Sequence, residues 1–152
     1  KMVEPSEDYA IPLGKANVVL EANPERIDEG DSVAVITYGM GVYWATKAAE
    51  KLNGSIEVLD LRTLNPIDNE AIYGQAKKHG KVLVLTEETL RNSLAEALAG
   101  RISKNCFEYL DAPVETLGSA NLPAVPLNMG LEKEMLPNAD KVYDVLASLL
   151  AY

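Results

Sequence analysis

Three stretches of this chain are dominated by apolar residues, and that constrains its fold more than anything else in it. They are Val33-Ala34-Val35-Ile36-Thr37-Tyr38, Ser55-Ile56-Glu57-Val58-Leu59-Asp60-Leu61 and Lys81-Val82-Leu83-Val84-Leu85-Thr86. A strand with one face in water alternates apolar and polar residues. A run without that alternation belongs to a strand covered on both faces. Each run is followed by a turn and a segment of helical length. Strands that alternate with helices pair in parallel through right-handed crossovers.

The intervening segments carry helix signals. After Gly39-Met40-Gly41, the residues Val42, Ala45, Ala49 and Leu52 fall on one helical face, and Lys47, Glu50 and Lys51 on another. Asn53-Gly54 is a fitting stop. The next helix starts after Pro66, with Asp68 as N-cap and Ile67 and Ile72 spaced as a hydrophobic staple. Lys77, Lys78 and His79 suit the negative end of its dipole, and Gly80 ends it. Ser93 and Glu96 form a capping box for a helix to about residue 104, with Leu94, Leu98 and Ile102 as its buried stripe.

Short strands are expected at 16–20 and 113–117, the first at an edge of the sheet and open to antiparallel pairing. Residues 21–31, with Pro24 and Gly30, read as a loop. Residues 119–137, with Pro123, Pro126 and Pro137, read as a long irregular excursion. A last helix begins at Asn138 and buries Val142, Leu146 and Leu149. The expected fold is a three-layer α/β/α domain around a mostly parallel sheet of about five strands. It occupies residues 9–152, and the polar residues 1–8 read as a linker from an upstream domain.

Working loops of such sheets lie at the carboxyl ends of the strands. Asp60 and Arg62 flank one strand end. Residues two apart on a strand share a face, so an ion pair fixing the loop is the favoured reading. Glu87 and Glu88 close another strand and can line the same crevice. Gly39-Met40-Gly41 followed by Asp60 hints at a dinucleotide site, but Trp44 stands where the third glycine of that motif belongs. A tight strand–helix turn explains the glycines as well. Glu108 and Asp111 are close in sequence and suit a solvated turn or the docking of a basic partner. His79 reads as a surface imidazole at a helix end, and Cys106, near Phe107, Tyr109 and Leu110, as a buried thiol. No complete catalytic set emerges.

Charge narrows the options further. With 14 Lys and Arg against 23 Asp and Glu, the formal net charge is −9. That argues against nucleic acid and against anionic membrane surfaces, and suits a basic protein partner. One cysteine and one histidine exclude an internal disulfide and a Cys/His metal cluster within this chain. No apolar run nears the ~20 residues of a membrane span, and no signal peptide opens the chain, so a cytoplasmic location is expected.

Several segments, in register, resemble the C-terminal domain of the transketolase superfamily. They are Tyr9-Ala10-Ile11-Pro12-Leu13-Gly14-Lys15-Ala16, Val35-Ile36-Thr37-Tyr38-Gly39, Glu57-Val58-Leu59-Asp60-Leu61-Arg62-Thr63-Leu64-Asn65-Pro66-Ile67-Asp68 and Phe107-Glu108-Tyr109-Leu110-Asp111-Ala112-Pro113-Val114, with Pro123 and Pro126. The wording is most similar to the β subunit of the E1 component of 2-oxoacid dehydrogenase complexes. Two departures stand out. Thr89-Leu90-Arg91-Asn92-Ser93-Leu94 replaces a Gly-rich segment, and Thr116 stands where the family often has Arg.

The resemblance implies a role in oxidative decarboxylation of a 2-oxo acid and acyl transfer to lipoyl. Thiamine diphosphate and magnesium would belong to the parent enzyme and lie between its other domains. This domain would supply assembly surface, be inactive alone, and contact other E1 domains or subunits and the subunit-binding domain of the E2 acyltransferase. Asp60, Arg62, Glu87, Glu88, Glu108 and Asp111 are its candidate interface or crevice residues. A homodimer of the isolated domain is a further expectation. The alternatives are the equivalent domain of another transketolase-superfamily enzyme, such as a 2-oxoacid:ferredoxin oxidoreductase, and a free-standing nucleotide-binding or regulatory module.

Overall fold

The structure is a computed structural model and describes residues 9–152. The expected linker at residues 1–8 lies outside the described residues. Five strands form one sheet: β1 (Asn17–Leu20), β2 (Val33–Thr37), β3 (Ile56–Asp60), β4 (Val82–Thr89) and β5 (Glu115–Ser119). Their spatial order is β1-β3-β2-β4-β5. β2 pairs in parallel with β3 and β4, and β4 with β5; β1 runs antiparallel to β3 at the edge. This is the expected doubly covered sheet with an antiparallel first strand.

The helices are α1 (Pro24–Asp28), α2 (Met40–Ala49), α3 (Asn69–His79), α4 (Leu94–Cys106), α5 (Met129–Met135) and α6 (Ala139–Leu150). The pleat sends alternate side chains to opposite layers. Val33, Val35, Ile56, Val58, Leu83 and Leu85 meet Ala45, Ala48, Val142, Leu146 and Leu149 of α2 and α6. Ile36, Leu59, Val82 and Val84 meet Ile72, Ala76, Leu98 and Ile102 of α3 and α4. The unbroken apolar runs of β2 and β4 reflect these two cores.

The caps form as the residue types dictate. The Asp68 side chain accepts the Ala71 N–H and caps α3, while Gly80 ends that helix at φ 66°. Ser93 Oγ accepts the Glu96 N–H. The Glu96 carboxylate, however, reaches the N–H of Asn92 at 2.6 Å rather than that of Ser93. The reciprocal half of the capping box is displaced by one residue. Asn138 caps α6 through the N–H groups of Asp140 and Lys141.

Both stretches read as irregular contain a helix. In the first, Pro24 opens α1 instead of breaking it, because proline's fixed φ suits a first helical turn. In the second, Asn128 caps α5 through Gly130 and Leu131. At the other end of α5, Lys141 Nζ donates to the carbonyls of Glu134 (2.6 Å) and Leu136 (2.8 Å). The last strand also lies two residues later than expected, since Gly118 continues it past the anticipated stop.

Candidate functional site

At the carboxyl edge of the sheet, β2 gives way to α2 through Gly39, held at φ 58°. The next glycine is dictated by packing. A Cβ on Gly41 would collide with Thr37 Oγ1. That hydroxyl donates to Leu85 O at 2.9 Å, and so ties β2 to β4. The glycines therefore let α2 start directly on the sheet. Beside this turn, Gly39, Met40, Val42, Tyr43, Asp60 and Glu87 line an open crevice of about 640 Å³.

Of the residues expected to share this edge, Asp60 and Glu87 are brought together. The Asp60–Arg62 ion pair does not form. The chain leaves the extended conformation at Leu61, Arg62 adopts φ 56°, and Asp60 Oδ1 instead accepts the Arg62 backbone N–H at 3.0 Å. The same-face rule for alternate strand residues no longer holds once the strand has ended.

Glu88 is also diverted. A bulge after Leu85 shifts the β4–β5 register, and Gly118 lies so close to Glu88 O that a Cβ there would crowd it. The Glu88 carboxylate accepts the Leu94 N–H at the start of α4 (2.8 Å) and the Tyr38 hydroxyl (3.4 Å). Tyr38 also bonds Thr86 Oγ1 at 2.8 Å. Burial, together with Glu88 and Glu87, holds the Tyr38 phenol above its usual pKa despite the Thr86 bond. Glu88 thus serves a helix start. The crevice offers two carboxylates without a nucleophile beside them, and those carboxylates would face the phosphates of any nucleotide placed there.

Glu108 and Asp111 lie elsewhere, near the amino end of β5. Residues Phe107–Tyr109 form a 3-10 turn after α4. The Asp111 N–H donates to Gly80 O at 2.9 Å, and its carboxylate sits where a side chain on Gly80 would be. Asp111 borders a mainly apolar groove of about 510 Å³ with Ser103, Phe107, Leu110, Ala112, Pro113 and Val114. Glu108 is exposed on the turn, and Lys77 Nζ lies 4.9 Å from the Tyr109 ring centroid. The six candidate residues therefore belong to two separate surfaces.

A polar cluster that the sequence reading did not single out lies inside the protein. Glu57, only 1% exposed, points from β3, the strand next to the antiparallel edge, toward α3. Its oxygens receive Lys78 Nζ at 2.8 and 2.7 Å, and the Ala22 N–H at 3.2 Å. His79 Nε2 is 3.6 Å away, and Ser32 Oγ lies 2.8 Å from His79 Nδ1. Burial alone would raise the Glu57 pKa, but Lys78, the Gln75 amide, Ala22 N–H and His79 together hold it below the usual carboxylate value.

His79 is thus buried, and is not the surface imidazole expected at a helix end. Glycine at position 80 turns the chain inward there, and burial lowers the His79 pKa against the pull of Glu57. A Ser–His–Glu series invites a hydrolytic reading. Ser32 is 0% exposed and His79 3%, so no substrate can reach the hydroxyl. One signal was present in the sequence: a glutamate inside a both-faces-buried strand requires a partner. Cys106 is buried as expected, and burial raises its pKa although Lys77 opposes it. Among the described residues, no three His, Cys, Asp or Glu are grouped to hold a metal ion.

Comparison with known proteins decides the family. A model of the transketolase C-terminal domain matches residues 22–142. The chain belongs to the transketolase C-terminal domain family. It is 41% identical over 151 residues to the 2-oxoisovalerate dehydrogenase subunit beta of Bacillus subtilis (strain 168), a match covering 97% of this chain and 44% of that protein. It is 31% identical over 146 residues to the pyruvate dehydrogenase E1 component subunit beta of Rhizobium meliloti (strain 1021), covering 94% and 30%. This transketolase C-terminal domain therefore spans less than half the length of these relatives. A solved split-gene transketolase, an inactive beta4 tetramer, shares its fold with a TM-score of 0.76 at 22% identity, over 96% of this chain and 45% of that one. No helix among the described residues is long and apolar enough to cross a membrane.

Proposed function

We propose that this chain is the C-terminal assembly and interaction domain of the β-type subunit of a 2-oxoacid dehydrogenase E1 component, dependent on thiamine diphosphate. The 41% identity to the 2-oxoisovalerate dehydrogenase β subunit, over 97% of the chain, carries this reading. The parent enzyme decarboxylates a 2-oxo acid in the cytoplasm and passes the acyl group to lipoyl. Thiamine diphosphate supplies the electron sink for that decarboxylation.

The residues described here do not fit that cofactor. Asp60 and Glu87 would face its diphosphate and repel it. The chemistry belongs to other domains or subunits of E1, and this domain holds the assembly together. The isolated chain should give no thiamine-dependent turnover of branched-chain 2-oxo acids in a decarboxylation assay, and such turnover would overturn this reading.

The groove beside Asp111 is the surface offered to the subunit-binding domain of E2. Its apolar floor of Leu110, Ala112, Pro113 and Val114 gives contact area, and Asp111 and Glu108 supply acidic groups for a basic partner. The carboxyl-edge crevice with Asp60 and Glu87, flanked by Arg62 and Glu88, is the second contact surface, toward other E1 domains or subunits. Titration calorimetry with a purified E2 subunit-binding domain tests the first assignment. Binding that weakens with salt and with Asp111→Lys, but not with Asp60→Asn, is expected. Binding unaffected by Asp111→Lys would remove the assignment.

A further inference from the structure

We propose that Asn53 is a site of spontaneous deamidation, and that Asn23 gates it. Asn53 alone among the chain's asparagines precedes a glycine. In this reaction the backbone nitrogen of the following residue attacks the side-chain amide carbon. A residue without a Cβ obstructs that approach least and rotates most freely. The new N–C bond closes a succinimide ring. The side-chain amide nitrogen leaves as ammonia, taking up the proton released from the backbone nitrogen. Water then adds to either ring carbonyl, and the ring opens to aspartate or isoaspartate. No electrons change hands, and water is the only co-reactant.

The turn between α2 and β3 presents these groups. Asn53 is exposed at φ 49° and Gly54 follows at φ 79°. Among the described residues, the Gly54 N–H donates to no backbone carbonyl. The Gly54 carbonyl, by contrast, accepts the Asn23 N–H at 2.8 Å. The Asn23 side chain also fills the space that a Cβ on Gly54 would need. Swinging the Gly54 nitrogen onto the Asn53 side chain turns the Asn53–Gly54 peptide and shifts the Gly54 Cα, against which the Asn23 side chain packs. The contact that shapes the turn therefore opposes the reaction.

Conversion would alter the turn in two ways. A new carboxylate would join Glu21 and Glu50 around a hollow of about 310 Å³. It would also stand at the negative end of the α2 dipole, where a negative charge is disfavoured. Isoaspartate would in addition insert a methylene into the main chain between α2 and β3.

The test is peptide mapping of the whole chain after incubation at mildly alkaline pH in oxygen-labelled water. Asn92 is the internal reference, because it is exposed at φ 58° but precedes Ser93. We expect Asn53 to become labelled acid isomers several times faster than Asn92, and Asn23→Ala to speed that conversion severalfold. An intact Asn53 when Asn92 has converted would overturn the site. An unchanged rate in Asn23→Ala would overturn the gate. If Asn23→Ala folds poorly, Asn23→Ser, which keeps a residue suited to the N-cap of α1, replaces it and should likewise speed conversion at Asn53; an unchanged rate would overturn the gate.

Discussion

Lys78 lays its ammonium across both oxygens of the buried Glu57 carboxylate, at 2.8 and 2.7 Å. The two residues sit on different layers, so the pair fastens α3 to β3 of the sheet. Removing Lys78 leaves a buried charge short of its main partner. The Lys78 side chain is 42% exposed, so water can reach the vacated place and soften the loss. Lys78→Met should cost about 2 kcal/mol in urea denaturation. Glu57→Gln, which removes the charge and keeps the shape, should cost less than Glu57→Ala. Equal losses for the two would show that the carboxylate's charge is immaterial.

The same cluster sets the response to acid. His79 has a lowered pKa in the fold, so below the unfolded value near 6.5 the unfolded chain binds a proton that native His79 resists. Glu57 and Asp68 also have lowered pKa values in the fold. For Asp68, burial opposes the lowering by the Ala16 and Ala71 N–H groups and Lys15. Their contribution is present above the unfolded carboxylate values and is lost as pH falls through the folded ones. All three shifts act in one direction. Unfolding free energy should begin to fall below pH about 6.5 and drop further below about 4.5. His79→Gln should flatten the upper part of that profile, read as denaturation midpoints across the pH range.

Glycines on three helices invite replacement with opposite results. Gly74 in α3 and Gly100 in α4 have nothing within 4 Å of an added Cβ. Alanine at either should stabilise by about 0.5–1 kcal/mol, because it restricts the unfolded chain and favours helix. Gly41→Ala should do the reverse, since its Cβ meets the hydroxyl that joins Thr37 to Leu85. Thermal melts of the three variants give the ordering. A stabilised Gly41→Ala would mean that α2 does not rest on β2 as described.

Lys141 has a separate consequence for residues 120–136. It caps the carboxyl end of α5, and the Ala120 N–H donates to Met135 O at 3.0 Å to close the neck of this excursion. The tip carries Leu127, Met129 and Leu131 exposed to solvent. Lys141→Met keeps the aliphatic stem and removes the donors. Hydrogen exchange should quicken at the α5 amides and at Ala120 while β2 and β4 stay protected. Uniform quickening would mean that the neck is part of the global unit.

The layer architecture was legible because it rests on hydrophobic period, and β2 and β4 each open with four apolar residues in a row. The caps at Asp68 and Ser93, and Asn138 as a helix start, were legible because each is a local bond between residues two or three apart. The misreadings share a different cause. Pro24 and Gly30 break helices in general, but a proline in the first turn begins one. Asp60 and Arg62 share a face only while the strand continues, and its end was set by a backbone turn that no side-chain pattern announces. His79 looked solvated because its neighbours are lysines, and its burial depends on Glu57 and Ser32, which are distant in sequence. Glu87 and Glu88 stand side by side in the chain, yet the bulge sends one to the crevice and the other to the start of α4.

Asp68 does more than cap a helix. Its second oxygen accepts the Ala16 N–H at 3.0 Å, across a sequence separation of 52 residues. The lead-in to β1 is therefore fastened to a point that exists only once α3 has begun. Closing so long a loop is slow relative to forming a helical turn. The first strand of the chain should accordingly be a late arrival, settling against β3 after the parallel strands have met. Its tether can be cut without unravelling what it was tied to.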